Sequence, residues 1–369
     1  DAGRASSTLE RMAVSRSLIA PTSNPLLERS LLEKLTRRAE AAGSLGKLEP
    51  LAIRLGLMQN SLKPRFRDPQ LVVFASDHGM AVDGIEAMSK YQTFEQVQQL
   101  LSGQLPVAAF ARHQQIGLTV VDCGVAEKIA VHERLLMRKI AHGTRNARIT
   151  AAMTLDQAHA AMRAGMVIGD TLRGNVLICA GVGVGSHLSA ALVLSRLTDE
   201  PIRDLLLSGP DMNPDALAHM MGIAQGAMGR HRELREPIEV LAAFGGFEMA
   251  MMVGAMLVAT SKRHLLMIDG MAACAALMLA SRIATPVTDY CVFCRSHGHR
   301  GLDKALHLFR ASALLELGMD STDGTGATLA WPLVRSAAAL LTEVADGEDP
   351  GPSRPTPISG DSAAAAAAA

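Results

Sequence analysis

The residues best placed to do chemistry follow four short apolar runs. Leu71–Ser76 leads into Asp77-His78-Gly79, Leu118–Val121 into Asp122-Cys123-Gly124, and Leu265–Ile268 into Asp269-Gly270. Val176–Ala180 runs into Gly181-Val182-Gly183-Val184-Gly185-Ser186. Taken singly, Asp and Gly are turn formers. Four such turns gather carboxylates and bare backbone along one edge, which suits a pocket. The Gly181–Ser186 run lies between a strand pattern and a helical one. Backbone there can approach an anion closely, and a helix N-terminus favours negative charge. Gly245-Gly246-Phe247-Glu248, ahead of the apolar stretch Met249–Thr260, offers close approach to a ligand or equally to another helix. Asp320-Ser321-Thr322-Asp323-Gly324-Thr325-Gly326 reads either as a capped turn or as a glycine-flanked loop holding a general base.

Two other chemistries fit poorly. The third glycine of a G-x-G-x-x-G dinucleotide fingerprint would fall at Ser186, and no Gly-Lys-Ser/Thr follows to make a P-loop. An oxidoreductase using that loop is therefore disfavoured, and no cofactor is expected. Cys291, Cys294, His297 and His299 are four possible zinc ligands crowded into nine residues. Structural zinc sites bring pairs together from separate segments, so no metal is expected here.

The elements that must position these residues follow from periodicity. Apolar runs of strand length alternate with helical segments, and Val287–Phe293 is a weaker fifth run. That alternation predicts an α/β fold, a mostly parallel sheet with helices on both faces. Asn24-Pro25 opens a helix carrying Leu31 and Leu35, and a second helix follows the turn at 43–46. Thr93-Phe94-Glu95-Gln96 and Thr154-Leu155-Asp156-Gln157 read as capping boxes, and Asn213-Pro214 as a helix start. A helical stretch covers Ala327–Leu341, interrupted by Pro332. The expected organisation is a flexible segment 1–24, a helical part 25–66 completed by part of 303–347, an α/β part 67–302, and a disordered tail 348–369. That tail is rich in Pro, Gly and Ser and ends in seven alanines.

Composition narrows the function classes. Lys plus Arg and Asp plus Glu both number 36, and only 3% of residues are aromatic. A nucleic-acid binder normally shows a basic stripe or stacking platforms, so nucleic acid is not an expected partner. The longest apolar stretch, Met249–Thr260, falls short of the roughly 20 residues that span a bilayer, so no membrane association is expected. Segment 1–24 carries no secretory pattern. Five cysteines, an odd number, several of them in apolar runs, fit buried free thiols in a reducing cytoplasm.

With these residues in view, the order of segments from about residue 44 to 343 resembles the nicotinate-nucleotide:dimethylbenzimidazole phosphoribosyltransferase family. Gly43-Ser44-Leu45-Gly46-Lys47-Leu48-Glu49 is similar to the family's G-S-L-G-x-L-E, and Phe74–Gly79 to its A-D-H-G strand end. Val120–Val125, Ala243–Ala250, Ile268–Gly270, Asp289-Tyr290, Leu317–Met319 and Gly324–Ala327 follow in the family's order. The resemblance implies an α/β domain with a small helical domain from both chain ends, and a homodimer; a heterodimer with a sister subunit belongs to the alternative of a degenerate paralogue. It implies exchange of the nicotinate of nicotinate mononucleotide for a benzimidazole-like base, in assembly of the cobamide lower ligand. Substrate contacts are then expected from Asp77, His78, Gly79, Asp122, Gly183, Gly185, Ser186, Gly245, Gly246, Asp269, Gly270, Gly324, Thr325 and Gly326.

Departures from the family pattern fall on the site. The family's E-M-G-I-G-N-T-T loop reads Gly181–Leu188 here, without its glutamate, and the phosphate lysine aligns with Met220. Arg295 and Arg300 are candidate replacement cations. The family's base-bearing G-E-G-T-G reads Asp323-Gly324-Thr325-Gly326 after Thr322, so the resemblance assigns the base to Asp323, about 1.5 Å shorter in reach. The alternative is a catalytically degenerate paralogue that binds a nucleotide or a partner subunit.

Overall fold

The structure, a computed structural model, describes residues 19–37, 43–206, 212–295 and 300–344. Residues 1–18, the segment from 345 onwards with its alanine run, and His297 and His299 lie outside the described residues.

Short apolar runs of strand length with no alternation, bounded by turn residues, suit a strand buried on both faces. Six strands form one parallel sheet: β1 (Gln70–Ser76), β2 (Gly117–Gly124), β3 (Leu135–Met137), β4 (Val176–Val182), β5 (Leu265–Asp269) and β6 (Cys291–Cys294). Their order is β3-β2-β1-β4-β5-β6, and every neighbouring pair is parallel. Residues Leu71 to Ser76 of β1 are all buried. The chain moves outward from β1 to β2 and β3, then returns past β1 to lay down β4, β5 and β6. The reversal between β1 and β4 opens a crevice beyond their carboxyl ends. Asp77–Gly79 and Gly183–Ser186 emerge at that point.

The expected α/β fold with a parallel sheet is the one observed, with local differences. β3 was not legible, because three apolar residues between Arg134 and Arg138 are too short to show a period. The run Val287–Phe293 divides into a 3-10 turn, Thr285–Tyr290, and β6. The helix expected to start with Thr93 as its cap instead has Gln92 there, whose N–H donates to Glu95 Oε2 at 3.2 Å. Thr93 is buried and its hydroxyl accepts from Val184 N at 2.9 Å. The Thr154–Gln157 box forms as read, with both reciprocal bonds at 3.0 Å. Asn213 caps its helix through Asp215 N at 2.8 Å.

The helix Phe247–Ser261 carries Met249–Thr260 and is buried almost all round. Among the described residues, no helix is long and apolar enough to cross a membrane. It lies against the helix Leu155–Thr171 at near backbone contact. A Cβ on Gly165 would sit 1.9 Å from Met251 O, and one on Gly254 would sit 2.0 Å from Met162 O. Two glycines, one from each helix, set that approach. The helix Leu48–Met58 packs against both Pro25–Thr36 and Thr325–Ala339, and buried residues of all three, among them Leu31, Leu55 and Val334, belong to one continuous core with the sheet. Ahead of them, Tyr290 Oη donates to Ala20 O at 2.6 Å and Thr22 N to Asp289 Oδ2 at 3.0 Å.

Candidate active site

A cavity of about 330 Å3 lies beyond β4 and β5. Gly181, Val182, Gly183 and Ser186 form one wall, with Gly270, Met271 and Ala272 beside them. Gln96, His187, Met220 and Leu302 add to the lining, and Thr322 brings in the turn ahead of the C-terminal helix. Of the residues expected from sequence, Gly183, Ser186 and Gly270 face this space directly.

Backbone geometry explains why glycine is required in the loop. Gly183 has φ of +152°, and a Cβ there would lie 1.9 Å from Ser76 O. The loop thus passes against the end of β1 with no room for a side chain. Gly270 has φ of +93° but open space around its missing side chain, so there the backbone turn alone excludes other residues.

Behind the loop sits a buried polar chain. Glu248 Oε1 lies 2.7 Å from His78 Nε2 and accepts from Ser186 Oγ at 2.9 Å. Glu248 and His78 side chains are 0% and 1% exposed. Among the described residues, His78 Nδ1 and Glu248 Oε2 have no hydrogen-bond partner. Gly246 closes over them, since a Cβ there would fall 2.2 Å from Glu248 Oε2 and 2.3 Å from His78 Cε1. The pair therefore explains Gly246 before the helix Phe247–Ser261. Burial pushes the nearby Cys123 thiol well up from its ordinary value, and the charges of Glu248 and Asp122 add to the effect.

The other strand-end residues do structural work. Asp77 Oδ2 accepts from Ala126 N at 2.6 Å, and Gly79 N donates to Thr144 Oγ1 at 3.2 Å. A Cβ on Gly79 would meet the Arg145 backbone at 2.4 Å. Asp122 Oδ1 accepts from Val125 N at 2.9 Å, and its other oxygen lies 3.4 Å from Lys139 Nζ. Gly245 ends the helix Pro237–Phe244, its N–H donating to Leu241 O. Asp269 Oδ2 accepts from Ala327 N at 3.0 Å, so β5 anchors the N-terminus of the helix Thr325–Ala339. Gly185, although in the loop, turns toward His78 Cβ at 3.1 Å from its absent Cβ.

Asp323 stands next to the cavity-lining Thr322. Its Oδ1 accepts from Ser321 Oγ at 2.5 Å, Thr325 Oγ1 at 2.5 Å and Thr325 N at 3.2 Å. One oxygen thus caps the helix, as the capped-turn reading expects. Among the described residues, no hydrogen bond is made to the other oxygen. Gly324 has φ of +91° and its absent Cβ would lie 2.6 Å from Leu71 Cδ1, so the turn is held against the sheet.

Sequence reasoning missed Gln96, His187 and Thr322 as lining residues, and Glu248 as the buried group behind the wall. The signal for Glu248 was its place beside two glycines at a helix start. The described lining carries no Lys, Arg, Asp or Glu. Arg295 pairs instead with Asp303 and with Glu316 Oε2 at 3.1 Å, and Arg300 is exposed. Cys291 and Cys294 are buried and three residues apart on β6, which places them on opposite faces of the strand. Among the described residues, no cluster of His, Cys, Asp and Glu is arranged to hold a metal.

This fold defines a doubly wound α/β protein with a cavity beyond the carboxyl ends of β4 and β5, beside its switch point. A family profile described as Phosphoribosyltransferase matches residues 20–351. The chain is 39% identical over 336 residues to the nicotinate-nucleotide–dimethylbenzimidazole phosphoribosyltransferase of Cupriavidus taiwanensis, covering 90% of this chain and 96% of that one. It is 36% identical to the protein of the same name from Janthinobacterium, over 89% and 96% of the two chains. A crystal structure of such an enzyme from Thermus thermophilus aligns with a TM-score of 0.79 at 28% identity, covering 86% of this chain and 96% of that one. The chain belongs to the nicotinate-nucleotide:dimethylbenzimidazole phosphoribosyltransferase family.

Proposed function

We propose that this protein exchanges the nicotinate of nicotinate mononucleotide for a benzimidazole-like base, making the nucleotide of a cobamide lower ligand. We read it as an α/β part with a smaller helical part from both chain ends, working in the cytoplasm as a dimer. The observation that carries the reading is the cavity at the sheet's edge, floored by bare glycine backbone and flanked by the Thr322–Asp323 turn. Its size is within the range of small-ligand sites.

The chemistry asks little of the protein beyond positioning and one base. An unprotonated ring nitrogen of the incoming base attacks the sugar's anomeric carbon. The bond to nicotinate breaks, and its pyridinium nitrogen leaves neutral with the bond's electron pair, so no general acid is needed. The new azolium still carries an N–H proton, and that proton goes to Asp323. The Oδ1 bonds to Ser321 and Thr325 fix the carboxylate's orientation while leaving Oδ2 for the proton. Apolar residues such as Met220, Met271 and Leu302 suit an aromatic ring.

The test is to mix the protein with nicotinate mononucleotide and 5,6-dimethylbenzimidazole and to measure free nicotinate. Release is expected, and Asp323→Asn is expected to lower kcat by about 10²–10⁴-fold while substrate still binds. No release with any of several aromatic bases overturns the function. Full activity in the Asp323→Asn protein overturns the assignment of the base.

A further inference from the structure

We propose that Ser186 presents a hydrogen-bond acceptor to the cavity and takes a hydroxyl of the substrate's sugar, not its phosphate, with Glu248 as the positioning residue behind it. The proposal rests on the phosphoribosyl-transfer reading of this cavity and assigns part of the ligand to one wall.

A serine hydroxyl has one hydrogen and two lone pairs. Ser186 Oγ donates that hydrogen to Glu248 Oε1 at 2.9 Å, and His78 Nε2 approaches the same oxygen at 2.7 Å. A carboxylate oxygen carries no hydrogen of its own, so it returns none to the serine. With its hydrogen committed inward, the serine turns lone pairs toward the cavity it lines. A fully buried carboxylate stands directly behind them. An anion at this place meets two sources of negative potential. A hydroxyl donor meets an acceptor strengthened by the charge behind it.

The loop's amides point the same way. A glycine-rich turn binds phosphate through free N–H groups. Here Val184 N already donates to Thr93 Oγ1 at 2.9 Å, and Ser186 N to Gly183 O at 3.1 Å. Two donors of the expected phosphate cradle are spent inside the protein. The described lining adds no Lys or Arg at this wall. The Gly181–Ser186 loop thus has the shape of an anion cradle with the polarity of a hydroxyl receptor.

Calorimetry with nicotinate mononucleotide and with its 2′-deoxy and 3′-deoxy analogues tests this on the wild type, Ser186→Ala and Glu248→Gln, with turnover followed in parallel. Ser186→Ala is expected to weaken binding of the ribonucleotide about tenfold and to raise KM without lowering kcat. One deoxy analogue should bind wild type and Ser186→Ala equally. Inorganic phosphate should compete equally well against both proteins. Glu248→Gln can donate an amide hydrogen to Ser186 and turn the hydroxyl hydrogen outward. Phosphate affinity should then rise while the preference for the ribonucleotide falls. A merely structural role for Glu248 would weaken every ligand alike, and a thermal midpoint near the wild type's confirms folding. The proposal is overturned if Ser186→Ala weakens inorganic phosphate, or if both deoxy analogues still feel the substitution. Ligand binding without nicotinate release would sink the transfer reading and leave Ser186 assigned by the analogue series. Failure of wild type to bind nicotinate mononucleotide removes both.

Discussion

At the scale of single residues, the site separates groups that face ligand from groups that hold the wall. Under the proposed function Asp323 is the first kind, and its substitution is read in kcat. Thr93 is the second. Its buried hydroxyl accepts from Val184 N in the glycine loop. Thr93→Val keeps the shape and removes that acceptor, leaving a buried N–H without its bond. Such a loss costs about 1–3 kcal/mol, so the urea midpoint should drop. KM should also rise as the loop loosens, and an unchanged midpoint with unchanged KM would count against a role for Thr93 in the loop. The sequence marked Thr93 as important but assigned it the wrong partner. A Thr followed by Glu and Gln has the pattern of a local cap, whereas the bond it makes is to a residue 91 positions away.

At the scale of elements, the helices Leu155–Thr171 and Phe247–Ser261 meet at near backbone contact. Gly165 and Gly254 let their backbones meet, and Gly169 extends the seam, its absent Cβ lying 2.8 Å from Ala255 O. Replacing helical glycine by alanine ordinarily gains about 1 kcal/mol from helix propensity. Gly254→Ala would instead place a methyl 2.0 Å from Met162 O, which no rotamer relieves. Overpacking of this kind costs about 1–3 kcal/mol or more, so the clash wins and the thermal midpoint falls. Gly222 makes the control. It lies exposed in the helix Pro214–Arg230 with nothing within 4 Å of its absent Cβ. Gly222→Ala should raise stability by about 0.5–1 kcal/mol. Equal effects at the two sites would show that propensity, not packing, governs both. The same seam aims the first turn of Phe247–Ser261, and with it Glu248, at the switch point.

At the scale of the molecule, burial sets how the protein responds to pH and to thiol reagents. His264 is held down to about 4 by burial first, and then by the positive charges of Lys262 and Arg67. An unfolded histidine has a value of about 6.5. Between those limits the unfolded chain binds a proton that the folded chain refuses, so stability falls as pH drops from about 6.5 to about 4. Above that window the group contributes no slope. His264→Asn should make the acid decline in urea midpoint shallower, and an unaltered decline would exclude His264 as a source of it. All five cysteines are free and buried, and burial pushes Cys274 up to about 12 with help from Asp269. The native protein should therefore resist a thiol-specific dye, with five thiols reacting once it is unfolded. Fast labelling of any one in the native state would contradict the packing.

What the sequence determined by itself was local or periodic. Apolar runs of strand length pointed to buried strands, their alternation with helices to a parallel sheet, and Asn24, Thr154 and Asn213 announced their helices through bonds spanning two or three residues. Glycines at Gly183 and Gly270 marked the sheet edge because positive φ restricts the residue type whatever the surroundings. The tertiary structure alone decided which turns share a cavity. Asp77 and Asp122 have the same local pattern as the loop residues, yet Ala126, Val125 and Lys139 claim their carboxylates. Glu248 reaches the wall because the seam at Gly165 and Gly254 carries its helix there. Such pairings join positions 62 to 170 residues apart, and no local preference encodes a contact whose partner is chosen by the packing of the whole sheet.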